Sequence, residues 1–448
     1  MANSHASTTN PCKMCRPLGA CLAFSGVENS MVLLHGSQGC STYMRRYISG
    51  HYNEPVDIAS SSLSEQGAIY GGEANLKQGI RNVVAKYSPS VLCVATTCLT
   101  ETIGDNVKMI IDDLLEEEPG LRDVKIIPVS TPSYSGSHTD GFYDSCVAIL
   151  DRFARGGEDN GAVNLFPGFL SPADIRYLRE VMDDCQVESM ILPDCSGTLD
   201  AGIGDTFYRI PRGGTRFEDI ERAGSSSCSI EFNLAGDANQ SSARLLDDRF
   251  GVRGYRLPLP IGIRNSDLLF NTLSEVTAGP TPQKYQDERS RLLDAMVDAH
   301  KYLFGQRAVI YGDAEFVIAM TSFLVDAGIF PVVCASGGGN ARYVAEIETI
   351  TGSLDTPPAI LREADFDDIY DHTLAAGADL LIGNSKGNHI ARRINVPLVR
   401  VGYPIHDRIG AQRILHTGYR GAMNLLDILT NTIIARKQDD LGYGYSYM

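Results

Sequence analysis

The chain has 448 residues, 43% of them hydrophobic and 21% charged, and this ordinary globular composition contains no apolar run long enough to span a bilayer. The formal net charge of -16 argues against nucleic acid or an anionic membrane as a partner, because both bind basic surfaces. Eleven cysteines occur without a visible secretory signal, so we expect a cytoplasmic protein without a disulfide framework.

Short apolar segments followed by a polar or Gly-rich turn and a helical pattern recur along the chain. Four of them are, in chain order, residues 91–97, 162–169, 307–312 and 378–384. Strands that alternate with helices predict parallel sheets, because a parallel neighbour is reached through a helical crossover. At about 100–200 residues per domain, the length favours three domains. We therefore expect an α/β fold of three Rossmann-like doubly wound domains with mostly parallel sheets.

Two stretches rich in Gly, Pro and polar residues are candidate linkers. They contain the Gly156-Gly157 pair and residues 277–283. The predicted domains are the following: an N-terminal domain of residues 1–158, a middle domain of residues 159–285 and a C-terminal domain of residues 286–448. Local signals also predict helix N-caps at Ser171, which precedes a proline, and at Thr215, which has Glu218 three residues further on.

The cysteines divide into two groups by their surroundings. Four lie in apolar runs and are expected to be buried core thiols: Cys93, Cys146, Cys228 and Cys334. In contrast, Cys15 in MCRPLGA, Cys40 in HGSQGC and Cys98 in TTCLTE each have Gly, Pro or Thr within two positions. At such positions backbone N–H groups can approach a sulfur, as they do around iron-sulfur clusters, which cysteine thiolates hold. From spacing alone, both buried structural thiols and metal ligands remain possible.

A zinc site is the first alternative, because Cys12 and Cys15 form a CxxC pair in CKMC. Structural zinc needs four ligands, usually supplied as two short-spaced pairs, and the sequence contains no second CxxC pair. The pattern therefore disfavours zinc.

Several longer motifs carry a family resemblance. PLGA after Cys15, HGSQGC, HYNEPVDIASSSLSEQGAIYGGEANL, TTCLTETIGD and TPSYSGSH occur in this order in the first third of the chain. NLFPGFLSPADI, YGDAEFV, IGNSKG and VRVGYPIHDR follow downstream. With these motifs the chain resembles the β-type subunits of nitrogenase component 1 over nearly its whole length.

The resemblance implies a cofactor and its ligands. Cys15, Cys40 and Cys98 match the cysteines that hold the P-cluster, an eight-iron, seven-sulfur centre shared with an α-type subunit. Ser133 matches a serine that supplies an extra oxygen ligand to the oxidised cluster, and Cys12 has no counterpart. Three thiolates cannot saturate even a four-iron cluster, so we expect a second chain to complete the coordination at a subunit interface.

The resemblance also implies partners. The α-type subunit would form a heterotetramer with this chain and hold the catalytic cofactor, for which this chain has no equivalent ligands. Tyr70 in GAIYGG matches an aromatic position on the face where an ATP-dependent iron-sulfur reductase protein docks transiently. We expect His35 to form hydrogen bonds beside the cluster rather than to ligate it. Glu101 and Asp105 are predicted to be solvated helix positions without a catalytic role.

The substrate remains open between two candidates. The chain has SGHYNEP where nitrogenase β subunits usually have a phenylalanine after the histidine, which weakens the case for dinitrogen. Methylthio-alkane reductase, which cleaves carbon-sulfur bonds, has the same β-type ligand set. A cofactor-assembly scaffold and a relative of dark-operative protochlorophyllide reductase are the further alternatives. The scaffold usually lacks the thiol and the serine that this chain retains as Cys98 and Ser133.

Overall fold

The structure is a computed structural model that describes residues 10–206 and 208–441. Most of the N-terminal stretch that carried the cytoplasmic prediction lies outside these residues. No helix in the described part of the chain is both long and apolar enough to cross a membrane.

The first sheet contains four parallel strands in the order β2-β1-β3-β4. The strands are β1 (Ser30–His35), β2 (Ala59–Ser60), β3 (Val91–Thr96) and β4 (Lys125–Val129). The helices around it are α1 (Arg16–Ser25), α2 (Gln38–Tyr52), α3 (Glu65–Tyr70), α4 (Glu73–Tyr87), α5 (Cys98–Ile103), α6 (Val107–Glu117) and α7 (His138–Phe153). Every residue of β3 is buried, as is typical of a parallel strand covered on both faces.

The second sheet also has four parallel strands, in the order β6-β5-β7-β8. The strands are β5 (Val163–Phe166), β6 (Ser189–Ile191), β7 (Cys228–Phe232) and β8 (Arg253–Leu257). The helices are α8 (Pro172–Asp184), α9 (Phe217–Arg222), α10 (Ser242–Phe250) and α11 (Ile263–Thr277).

The third sheet has five parallel strands in the order β11-β10-β9-β12-β13. The strands are β9 (Arg307–Gly312), β10 (Phe330–Ser336), β11 (Ala359–Leu361), β12 (Leu380–Gly383) and β13 (Leu398–Arg400). The helices are α12 (Gln283–Leu303), α13 (Ala314–Asp326), α14 (Ala341–Thr351), α15 (Phe366–Ala376), α16 (Asn388–Ile394) and α17 (Gly418–Asp440).

The strand orders confirm the predicted α/β fold with parallel sheets. In each sheet the chain leaves the first strand on one side and later returns to its other side, which creates a switch point at the carboxyl ends of the strands. One sheet falls within each predicted domain range, and the boundaries near 158 and 285 stay predictions.

The two predicted helix caps have different outcomes. Ser171 caps α8 and accepts a hydrogen bond from the Asp174 N–H, as predicted. The cap at Thr215 is wrong, because α9 begins after Arg216. The Thr215 hydroxyl instead donates to the Ile191 carbonyl, and its main chain pairs with Val27. A long-range contact has replaced the local capping bond.

Helices α1 and α7 pack with almost no space between their backbones. A Cβ atom built on Gly19 of α1 would lie 1.8 Å from the carbonyl oxygen of His138. One built on Gly141 of α7 would lie 2.1 Å from the carbonyl oxygen of Arg16. The glycine in RPLGA therefore allows the N-terminus of α1 to approach α7 and the turn that precedes it.

Candidate metal centre

The four predicted ligands lie at starts of helices and turns at one edge of the first sheet. Cys40 is in the first turn of α2 after β1, Cys98 is the first residue of α5 after β3, and Ser133 begins a 3₁₀ turn after β4. Cys15 precedes α1 as its N-cap. Because parallel strands end at the same edge, three separate stretches of chain meet there.

Backbone N–H groups link three of these residues. The Arg16 N–H, directly after Cys15, donates to Ser133 Oγ at 3.2 Å. The Ser133 N–H donates to Cys98 Sγ at 3.2 Å. The Arg16 side chain pairs with Asp144 of α7 and holds the start of α1 against the serine turn. Arg16, Ser133 and Cys98 therefore form one hydrogen-bonded group, and Cys15 directly precedes Arg16.

Electrostatics connects Cys40 to the same group. Burial raises the pKa of the Cys15 thiol, and the nearby Cys98 and Cys40 raise this pKa further, whereas a hydrogen bond from Ser133 lowers it. Helix α2, which carries Cys40, also contacts α1, which begins directly after Cys15, so the three thiols share one neighbourhood. The Ser37 hydroxyl, one turn before Cys40, donates to Cys40 Sγ at 3.8 Å.

Tyr43 is a member of this neighbourhood that the sequence analysis missed. Its hydroxyl lies 3.9 Å from the sulfur of Met14 and near the Cys15 thiol, whose pKa it lowers. Burial, together with the Cys15 charge, raises the pKa of Tyr43. Its position three residues after Cys40 places both side chains on one face of α2, and this spacing is the signal that could have identified it.

The site is open on one side. Cys98 is exposed, and Cys15 and Cys40 are half-buried. Two large apolar side chains that follow the ligands in sequence are also exposed, Leu99 at 38% and Tyr134 at 69%. In the part of the chain that the structure describes, no three His, Cys, Asp or Glu side chains are arranged to hold a metal ion by themselves. Three soft thiolates and one hydroxyl nevertheless fit an iron-sulfur centre that a second chain completes.

Cys12 does not belong to this site. It is 4% exposed and lies in the core of the third sheet, where its N–H donates to the Ala364 carbonyl at 2.9 Å. Burial raises the pKa of its thiol to about 12. The CKMC pair is thus divided between two regions, which argues against a shared zinc ion. The four cysteines predicted to be core thiols are all buried.

The prediction of a solvated side chain is wrong for Asp105, whereas Glu101 is partly exposed. The Asp105 side chain is 9% exposed and lies 3.0 Å from Nε2 of His35, which is fully buried. Glu101 accepts hydrogen bonds from the hydroxyls of Thr96 and Ser130. The partner of Asp105 comes from β1, 70 residues earlier in the chain, so local sequence patterns do not reveal the burial of this carboxylate.

Tyr70 is the last residue of α3 and is 82% exposed. Its neighbour Ile69 is 74% exposed. Two adjacent large apolar side chains at the end of a short helix form a small projecting surface, defined here as the α3 tip (Ile69 and Tyr70). Helix α3 packs against α5, the helix that begins with Cys98. The α3 tip therefore lies on elements that adjoin the thiol site.

The fold and the site define a class of protein: a three-sheet α/β subunit with a thiol-lined site that opens onto its surface. The model of the family described as nitrogenase component 1 type oxidoreductase matches residues 15–434. The chain belongs to this family, which confirms the resemblance and the expectation of an oxidoreductase subunit.

Individual relatives agree over almost their full length. The chain is 34% identical to the nitrogenase molybdenum-iron protein beta chain of Clostridium pasteurianum, covering 95% of this chain and 93% of the relative. It is 34% identical to the nitrogenase vanadium-iron protein beta chain of Trichormus variabilis, covering 96% of this chain and 95% of the relative. The solved structure titled nitrogenase Cp1 at pH 6.5 has a TM-score of 0.95 at 32% identity and covers 100% of this chain and 98% of that one.

Proposed function

We propose that this chain is the β-type subunit of a nitrogenase or nitrogenase-like reductase and holds one half of a P-cluster, an eight-iron, seven-sulfur centre, at the interface with an α-type subunit. When bound, such a centre passes electrons from an ATP-dependent iron-sulfur reductase protein to a catalytic cofactor in the α-type partner. The two subunit types would assemble as a heterotetramer. The observation that carries the proposal is the convergence of Cys15, Cys40 and Cys98 beside Ser133 at an open edge of the first sheet.

The ligand roles follow from the donor chemistry. Cys15, Cys40 and Cys98 supply soft thiolates, which iron-sulfur centres require. The Ser133 hydroxyl accepts the Arg16 N–H in this chain. After loss of its proton it would be a harder ligand than a thiolate and would suit a more oxidised iron. Burial and the neighbouring thiols raise the pKa of Cys15, and the positive charge of bound iron would offset this by stabilising the thiolate.

The exposure of the site supports the role of a second chain. The exposed Cys98 thiol and the exposed side chains of Leu99 and Tyr134 form a partly apolar face, which water contacts in the isolated chain. Three ligands leave a multi-iron centre incompletely coordinated, and an α-type subunit seated on this face would supply the remaining thiolates and exclude water.

The α3 tip supports a docking role for Tyr70. Large apolar groups that project into solvent are typical of protein interaction sites rather than of core packing. Changing Tyr70 to Ala should raise the reductase concentration needed for half-maximal electron transfer. Ile409 is also 82% exposed and provides the matched control. Equal effects of Tyr70→Ala and Ile409→Ala would contradict the docking role.

The relatives favour dinitrogen as the substrate, because their printed names are those of nitrogenase beta chains. Reductive cleavage of methylthio-alkanes is the second candidate and rests on Tyr52 in SGHYNEP. Tyr52 is buried at 4% and packs edge-on against His51 at 4.5 Å. A cofactor-assembly scaffold is less well supported, because the chain retains Cys98 and Ser133 in direct contact.

The proposal is tested by expressing the chain with its α-type partner and measuring iron and colour in the purified complex. The wild type should be brown and oxygen-sensitive, and Cys40→Ala and Cys98→Ala should each lose most of the iron bound at the interface. Cys334→Ala, which changes a fully buried core thiol, is the control and should retain it. Iron content and colour that are unchanged in both ligand variants would refute the P-cluster assignment.

The substrate requires a separate assay. The complex is supplied with reductase protein and ATP, and two products are measured: ammonia from dinitrogen, and methane or ethylene from methylthio compounds. Ammonia formation supports a nitrogenase, whereas hydrocarbon release without ammonia supports methylthio-alkane reduction. A complex that reduces neither compound but transfers a cluster to an acceptor protein would support the scaffold.

A further inference from the structure

A buried histidine-aspartate pair connects the α3 tip to the turns that carry Cys40 and Cys98. His35 ends β1 and is fully buried, and its Nε2 lies 3.0 Å from Asp105 Oδ2. Asp105 follows α5 in the loop that leads to α6. Neither residue is among the proposed ligands.

His35 is held by both ligand turns. Its carbonyl oxygen accepts hydrogen bonds from the Thr97 N–H at 3.2 Å and the Thr100 hydroxyl at 3.0 Å. Thr97 is the N-cap of α5, so these bonds fix the position of Cys98. On its other side, His35 Nδ1 lies 2.9 Å from the Ser61 hydroxyl oxygen, which also accepts the Gly36 N–H at 3.0 Å. Gly36 begins the turn that leads to Cys40.

Asp105 holds the segment that follows the α3 tip. Its two carboxylate oxygens accept the same N–H, that of Gly72, at 3.2 and 3.1 Å. Gly72 is the N-cap of α4 and lies two residues after Tyr70. A Cβ atom on Gly72 would be 2.5 Å from Asp105 Oδ2 and 2.7 Å from His35 Cε1. Only glycine therefore fits between the docking segment and the pair.

The pair is fully satisfied by its hydrogen bonds. A neutral His35 with its proton on Nε2 donates to Asp105 and accepts from the Ser61 hydroxyl through Nδ1. Burial lowers the pKa of His35, which is consistent with this neutral form. Removing either partner would leave a buried polar group unpaired, so the contact is both specific and costly to break.

We propose that Asp105 and His35 are positioning residues that hold the α3 tip in a fixed relation to the Cys40 and Cys98 turns, so that a docked reductase protein delivers electrons efficiently. This inference rests on the proposed function. The α3 tip and the ligands lie on separate segments of the sheet edge, so their relative position depends on contacts such as the hydrogen bonds from the Gly72 N–H to Asp105. Without Asp105, the Gly72 N–H loses its partner, and the segment after Tyr70 can shift without moving the ligand turns.

The test measures re-reduction of the oxidised complex by two electron donors. The first donor is saturating reductase protein with ATP, which must dock, and the second is dithionite, which does not use the α3 tip. Asp105→Ala should slow re-reduction by the reductase protein between about 5-fold and 100-fold, the range for a misplacement of about 1 Å. Re-reduction by dithionite and the iron content should be unchanged. Asp113→Ala, at an exposed position of α6, is the control and should not affect either rate.

A second, more conservative variant keeps the test informative if Asp105→Ala does not fold. Asp105→Asn retains the side-chain shape and one oxygen for the Gly72 N–H, and it should produce a smaller loss with the reductase protein only. The inference is overturned if both Asp105 variants slow the two donors equally, affect neither donor, or lose iron. Loss of iron would mean that the pair builds the cluster site rather than aligning the docking segment. Failure of the proposed function is distinct, because Cys40→Ala would then retain its iron.

Discussion

Cys12 and Cys15 are three residues apart and lie in two different environments. Cys15 stands before a helix at the edge of the first sheet, half-buried and close to two further thiols. Cys12 is buried in the core of the third sheet, next to the turn after β10, where its carbonyl accepts the Gly337 N–H at 3.2 Å. Both sheet edges combine a cysteine with a Gly-containing turn, but only the first leaves its thiols accessible.

Cys12 and Cys15 differ in how well their surroundings can stabilise the negative charge of a thiolate. A thiolate needs donors, a metal or water around it, and burial of Cys12 excludes water, which outweighs the donors near its thiol. The Cys12 thiol, with its pKa raised to about 12, stays protonated and acts as a small core side chain. At the first edge, by contrast, the Ser133 N–H donates to Cys98 Sγ and the Ser37 hydroxyl donates to Cys40 Sγ. Accessibility and neighbours, rather than the CxxC spacing, thus determine which cysteine can bind metal.

The largest expected effect directly tests this contrast. Cys15→Ala should remove most of the interfacial iron from the purified complex, because one of three thiolates from this chain is lost. Cys12→Ala should retain the iron and lower stability only slightly, by about 1 kcal/mol, for the small buried group removed. Metal analysis and urea unfolding of both complexes measure the two quantities. Equal iron loss in the two variants would remove the distinction between the edges.

The second prediction concerns how closely α1 approaches the first edge. Gly19→Ala should lower the free energy of unfolding by about 2–3 kcal/mol, because its Cβ atom would overlap the His138 carbonyl oxygen and push α1 away. The urea midpoint of the complex measures the loss, and iron content should fall with it. Gly120→Ala is the control, since a Cβ atom there has nothing within 4 Å. A normal midpoint for Gly19→Ala would show that the helices can separate at no cost.

The third prediction concerns Glu315 at the third edge. Its side chain is 5% exposed and lines a cleft of about 280 Å³, and burial raises its pKa from 4.5 to about 7. Because the folded chain holds the proton more tightly than the unfolded chain, stability should fall as the pH rises from about 4.5 to about 7. Glu315→Gln should remove this dependence and stabilise the chain at pH 8 by roughly 1–3 kcal/mol.

Urea midpoints of the wild type and the Glu315→Gln variant across this pH range provide the measurement. Glu363→Gln is the control, because Glu363 also lines the cleft but is exposed. Parallel pH curves for the wild type and the Glu315 variant would mean that folding does not raise the pKa of Glu315.

The smallest expected effect is at Ser133. Ser133→Ala removes the acceptor of the Arg16 N–H and should cost about 1 kcal/mol of stability. Iron content should remain, because the thiolates are intact, while the electron paramagnetic resonance spectrum of the oxidised complex should change. Ser135→Ala, in the same turn, is the control for the spectrum. An unchanged oxidised spectrum in Ser133→Ala would leave the serine with a structural role only.

Local sequence patterns predicted much of the fold. The continuous apolar run in β3 and the Ser-Pro start of α8 result from neighbouring residues alone, and both are confirmed. Thr215 failed as a predicted cap because its hydroxyl found a carbonyl in a distant strand instead of the next helical turn. Local rules do not include such competing long-range partners.

The candidate site shows the same division. The motifs around Cys15, Cys40 and Cys98 marked the ligands, because close backbone approach to a sulfur requires small or turn-forming neighbours. They did not reveal that the Tyr43 hydroxyl of α2 lies near Cys15 at the start of α1. They also did not reveal that Asp105 is buried against His35. These contacts arise from packing between helices and strands that are distant in sequence, and the spacing of residues along the chain does not predict this packing.

The sequence by itself determined the alternation of strands and helices, the family and the three thiols that mark the site, since each depends on residue type and local order. The tertiary structure alone decided which thiols share a neighbourhood, that Cys12 is excluded from it, and that a buried pair ties the α3 tip to the ligand turns. The physical reason is that burial and long-range hydrogen bonds are set by how parallel strands bring distant loops to one edge.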